Sequence, residues 1–230
     1  MSARFLGGLL LALGLATPVA AQDGVPPLER IIDISVPVDA SRECSVPGTV
    51  LMLARRFEML AGIEYPRSPC AKMGATQPGP IESINLRGMT VEEALARLAS
   101  IDPRYRIIER DGVVVVRPVT AWSDPKNVLN FGSPSFVLED ATLGIALDAV
   151  VSAMVGERSS PTDRFGTATE QGARRFSLKT GAVSAGEALD AIVRAHGASV
   201  WVMRDGEIGR VVFFHTFDGS GIGSGRRGLQ

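Results

Sequence analysis

The sequence predicts an α+β chain made of two tandem small βαβαββ-type units, and three observations carry that expectation. "TVEEALARLASIDPRYRIIERDGVVVV" (90–116) spells a capped helix followed by a two-stranded hairpin. Nearly the same words return 94 positions later, with Thr90 on Ser184, Glu93 on Glu187, Leu95 on Leu189 and Asp111-Gly112 on Asp205-Gly206. Each copy is preceded by a further strand and helix. Capping box, apolar stripe and Asp-Gly hairpin signal are independent of one another, so their recurrence at one offset points to duplication.

Taken in order, the chain opens "MSARFLGGLLLALGLATPVAAQDG". Arg4, a short apolar run and the small residues before Ala21 have the layout of a cleavable secretory signal, so 1–21 is expected to be removed and the protein exported to the periplasm. The first unit is expected over 30–118. It starts with the alternating strand "IIDISVPV" (31–38), followed by a helix with Val50, Leu53, Ala54, Phe57 and Leu60 on one face. The Pro/Gly-rich stretch 65–80 reads as a loop. "INL" (84–86) then enters the helix capped by Thr90, whose stripe is Val91, Ala94, Leu95 and Leu98. The hairpin turns at Asp111-Gly112.

Residues 119–134 read as a linker and 135–217 as the second unit. "SFVLED" (135–140) leads into a helix carrying Leu143, Ala146, Leu147, Val150, Val151 and Met154 on one face. A polar loop (156–175) and "FSL" (176–178) follow, then the helix capped by Ser184 and stopped by Gly197, and a second hairpin expected to turn at Asp205-Gly206. An extra short strand near the middle of each unit fits the same layout. The Gly/Ser-rich tail 218–230 is expected to be disordered.

The 45% hydrophobic content is enough for a packed core, and no later stretch is apolar enough to cross a membrane. The net charge of −1 becomes −2 once the signal, with its single arginine, is gone. That balance leaves no electrostatic footprint for nucleic acid. Cys44 and Cys70 are the only two cysteines. In an exported chain they are expected to pair as a structural disulfide; a redox thiol pair or half of a metal site are the alternatives, against which stand the absence of CxxC and of a neighbouring histidine.

The pattern "INLRGMTVEEALARLASIDPRYRIIERDGVVVVRP" resembles the short N-terminal domain shared by secretins and TonB-dependent receptors, the STN domain. Leu86, Gly88, Thr90, Glu93, Ala94, Leu95, Leu98, Tyr105, Gly112 and Val115 stand where that motif would put them. Residues 30–118 match its layout throughout. The second unit matches more loosely: Leu178 and Gly181 keep the turn, but Ala185-Gly186 intervene before Glu187. The resemblance implies a fold of two helices with small sheets, and a periplasmic docking module for inner-membrane partners, regulators or neighbouring subunits. Neither a secretin ring region nor a receptor barrel follows, so gating and uptake are not expected of this chain.

Chemistry is sparse. His196 and His215 are the only histidines and meet no nucleophile or ligand pattern in sequence. "GSGIGSG" (219–225) has no lysine and no strand-to-helix setting for a phosphate loop, and neither GxSxG nor HExxH occurs. No catalytic residue, cofactor or metal is therefore expected. Trp122, Trp201, Phe213 and Phe214 read first as packing residues. What remains are strand edges able to accept a partner strand, in the apolar runs "VVVV" (113–116) and "RVVFF" (210–214). Val113, Val115, Val211 and Phe213 are the candidate partner-binding positions, although such runs also suit strands covered on both faces. The function expected is a non-enzymatic adaptor for an envelope protein such as secretin-type machinery, a regulator or a receptor component. The alternative is a small-ligand or cell-wall binding protein using a cleft between the units.

Overall fold

A computed structural model describes residues 24–39, 44–66, 83–158, 174–206 and 209–217. The expected signal peptide, Cys70 and the tail lie outside the described residues. The architecture is mixed α/β. In chain order it comprises β1 (Pro37–Asp39), α1 (Ser45–Phe57), β2 (Ala61–Glu64), β3 (Ser83–Asn85), α2 (Val91–Ile101), β4 (Tyr105–Arg110) and β5 (Val113–Pro118). Then come α3 (Val119–Ser123), β6 (Gly132–Ser133), β7 (Phe136–Ala141), α4 (Leu143–Arg158), β8 (Phe176–Thr180), β9 (Val183–Ser184), α5 (Ala185–His196), β10 (Ser199–Gly206) and β11 (Gly209–Thr216).

Local chemistry explains the helix ends. Thr90 and Ser184 accept from the Glu93 and Glu187 amides at 3.1 and 3.3 Å, and each glutamate accepts from the cap residue's own amide at 2.8 Å. These are two complete capping boxes. Gly197 takes φ 74° and returns its amide to Val193, closing α5. The first hairpin turns where expected, with Asp111 at φ 51° and Gly112 at φ 80°, as a type I′ turn requires. Thr90→Ala and Ser184→Ala should each lower the free energy of unfolding by about 1 kcal/mol, read as matched shifts of the urea midpoint at unchanged slope.

Three elements differ from the sequence expectation. The helix expected to reach Leu60 stops at Phe57, because Glu58 turns left-handed at φ 54°. Leu60 therefore precedes a strand, β2, instead of lying on the helix. The strand expected over 31–38 is confined to β1, paired antiparallel with β3. In the second hairpin Asp205 and Gly206 belong to β10, where they pair with Arg210 and Gly209, so the chain reverses two residues later than the Asp-Gly signal suggests.

The organising feature is one five-stranded sheet in the order β11-β10-β2-β5-β4. β2 lies at its centre, parallel to β5 on one side and to β10 on the other. The hairpin at the end of the chain thus joins the sheet begun by residues 61–118. Successive strand residues face opposite ways, and here both ways lead to a core. Val114, Val116, Val200 and Val202 pack with α1 and α2. Val113, Val115, Trp201, Met203, Val212 and Phe214 pack with α4 and α5. The sheet is a shared middle layer, which is why its strands read as uninterrupted apolar runs.

Candidate interaction edge and the polar centres around it

A sheet offers new backbone pairing only at its outer strands. The structure separates the four candidate positions on this criterion. Val113 and Val115 sit on β5, which is paired with β2 on one side and β4 on the other, and their side chains are buried. They are interior positions, not edge positions: β2, hidden in sequence behind the end of a helix, occupies the side that the run "VVVV" was expected to leave open. Val211 and Phe213 sit on β11, the outermost strand, and are half-buried. Among the described residues no strand pairs with the far side of β11.

The opposite edge, β4, has a different character. It exposes Arg106 and Glu109, and charge on an edge strand discourages strand addition. Of the two outer strands, β11 is the apolar one.

Around β11 the sheet face shared with α1 carries Val211, Phe213 and His215, opposite Arg204, Val202 and Val200 of β10. The Arg204 guanidinium lies over the Phe213 ring, 5.0 Å from its centroid. Phe213 and His215 meet edge to face at 5.0 Å. Burial holds the His215 pKa below the usual histidine range, and the charges of Arg55, on α1, and Arg204 add to that. Burial also pushes the Tyr65 hydroxyl up, against the pull of Arg204.

Two polar centres lie deeper, and neither was foreseen. Glu64, at the end of β2, is only 1% exposed. It accepts from Arg117 Nε at 2.7 Å and from Asn127 Nδ2 at 2.6 Å. Arg117 also donates to the Ala121 carbonyl and to Asn130 Oδ1, and stacks over Trp122 at 4.8 Å. The charges are matched and their hydrogen bonds supplied, the condition under which a buried pair persists. This cluster fastens the segment expected as a linker onto the first half of the chain.

The second centre is Asp190, a carboxylate on the buried side of α5. It accepts from Trp201 Nε1 at 2.7 Å and from Arg110 Nη2. Arg110 also reaches Glu187 at 3.1 Å, and next to it Asp111 pairs with Arg194 at 3.0 Å. The first hairpin is thereby ion-paired to α5. Burial raises the Asp190 pKa, opposed by the hydrogen bonds from Trp201 and Arg110. Hydrogen bonds from Ser184 hold the Glu187 carboxyl below its usual range. The sequence carries no signal for this centre: at helical spacing Asp190 falls on the side of Glu187 and Arg194, away from the stripe of Ala185, Ala188, Leu189 and Ile192, and only packing buries it.

His196 is buried against Phe176, ring edge to ring face at 5.8 Å. Cys44 is buried at the start of α1, and its expected partner Cys70 lies outside the described residues. Among the described residues no group of three or more His, Cys, Asp or Glu is placed to hold a metal ion, and no helix is long and apolar enough to cross a membrane. The shared sheet lies between the helix pair α1–α2 and the helix pair α4–α5. Comparison of the chain with family models, curated proteins and solved structures finds no match to any of them.

Proposed function

We propose that this chain is an exported adaptor of the cell envelope, built of two STN-like units over 30–118 and 135–217 and presenting one sheet edge to a protein partner. The observation that carries this reading is β11. It is outermost, apolar and half-buried, while the opposite edge is charged. Strand addition draws affinity from main-chain hydrogen bonds and selectivity from alternate side chains, and β11 has both to offer. The paired polar centres are already occupied with holding the fold, which supports a binding role over a catalytic one. The signal-like start supports export, and the STN-like pattern supports a partner among envelope assemblies or regulators.

A photo-crosslinking residue placed at Val211 and, separately, at Glu109 tests this in cells exporting the full chain. The expected result is a discrete envelope-protein adduct from position 211 and none from 109. Equal labelling from both sites, or none from 211, would remove β11 as the docking edge.

A further inference from the structure

The repeat suggests what kind of strand would fit beside β11, where none is paired among the described residues. β11 corresponds in the second unit to β5 in the first, each being the last strand of its hairpin. On β5 the side away from the hairpin partner is taken by β2, running parallel, with Ala61, Gly62 and Ile63 opposite Val114, Val115 and Val116. Counted from the hairpin ends, Val113 corresponds to Gly209 and Val116 to Val212. Val116 and Val212 each face the helices of their own unit, which supports that correspondence. The same side of β11 bears no strand among the described residues.

Among the described residues, two arginines bring positive charge to that edge. Arg204 reaches from β10 across β11, its guanidinium over Phe213. Arg55 on α1 is exposed and close enough to act on His215. Among the described residues no carboxylate forms an ion pair with Arg55 or Arg204. Both charges act on His215, in a chain whose overall charge is −1. A neighbouring strand lies about 4.8 Å away, within reach of a guanidinium already extended over the edge strand.

We propose that β11 accepts an acidic extended segment of a protein partner, aligned parallel in the place that β2 takes beside β5, with its carboxylates meeting Arg204 and Arg55. This rests on the adaptor reading above and adds the partner's chemistry. The strand supplies the backbone ladder, Val211 and Phe213 supply an apolar face, and the two arginines select charge, as complementary potentials do at interfaces.

The test uses the purified full chain and two capped eight-residue probe peptides, one alternating threonine with glutamate and one alternating threonine with lysine. The glutamate peptide should bind roughly tenfold or more tightly than the lysine peptide at low salt. It should slow amide exchange at Val211–Thr216, and the preference should shrink as salt rises. Arg204→Glu and Arg55→Glu, each checked for unchanged circular dichroism, should abolish or reverse the preference; Arg204→Gln should weaken it. Equal binding of both peptides, binding without protection of β11, or no binding by either overturns the acidic-strand proposal. So does concentration-dependent dimerisation that protects β11, which would assign the edge to a second copy. If crosslinking from Val211 still captures an envelope protein while the peptides show no charge preference, the adaptor reading stands and only its acidic chemistry falls.

Discussion

Gly62→Ala is expected to destabilise the protein by roughly 3 kcal/mol, at the upper end of what overpacking costs. A Cβ built on Gly62 would run into the Trp201 indole at Cε2. The indole belongs to β10, which runs parallel to β2 with Trp201 directly opposite Gly62. It is 1% exposed and anchored through its Nε1 to Asp190, so it has little room to yield. The glycine is therefore required by the close approach of a side chain from 139 positions away, not by backbone conformation. A double-mutant cycle checks this. Trp201→Leu alone should cost several kcal/mol through a cavity, yet in that background Gly62→Ala should become nearly neutral, giving a coupling energy of about 2–3 kcal/mol. Additive effects of the two changes would mean that the terminal hairpin does not share a sheet with β2.

Arg117→Ala should cost about 3–5 kcal/mol, because it takes the Arg117 guanidinium away from the buried Glu64 carboxylate. Glu64 and Arg117 are 1% and 5% exposed, so water cannot readily replace the lost bonds. The same change strips donors from Asn130 and the Ala121 carbonyl and removes the cation over Trp122. The short helix α3 and the 3₁₀ turn at Val128–Asn130 should then loosen together. Denaturant unfolding measures the cost, and hydrogen exchange should show faster amides over 119–131. Replacing both partners, Glu64→Met with Arg117→Met, should recover a large part of the loss, since an apolar pair of similar volume buries no charge. If the double variant is no better than Arg117→Ala, the destabilisation comes from packing around Trp122 and not from the charge.

The sequence by itself determined the pieces whose causes are local. Thr90 with Glu93 and Ser184 with Glu187 are three residues apart, and their stripes recur at helical spacing, so both capped helices were legible, as was the turn at Asp111-Gly112. It also named two apolar runs as candidate docking strands, but could not say which one was outermost. "VVVV" and "RVVFF" carry the same signal because every strand bears the same backbone donors and acceptors. Which side they satisfy depends on a neighbour, and the neighbour of β5 is the four-residue β2, too short and too uniformly buried to show a period. Only the tertiary structure decided that β2 would stand between both hairpins, that Val113 and Val115 would be enclosed while Val211 and Phe213 stayed outermost, and that Asp190 would meet Arg110 from 80 positions away. Helix caps and tight turns are settled within a few residues of chain. Strand neighbours and buried ion pairs are settled by which surfaces pack best across the whole molecule, and no window of sequence contains both partners.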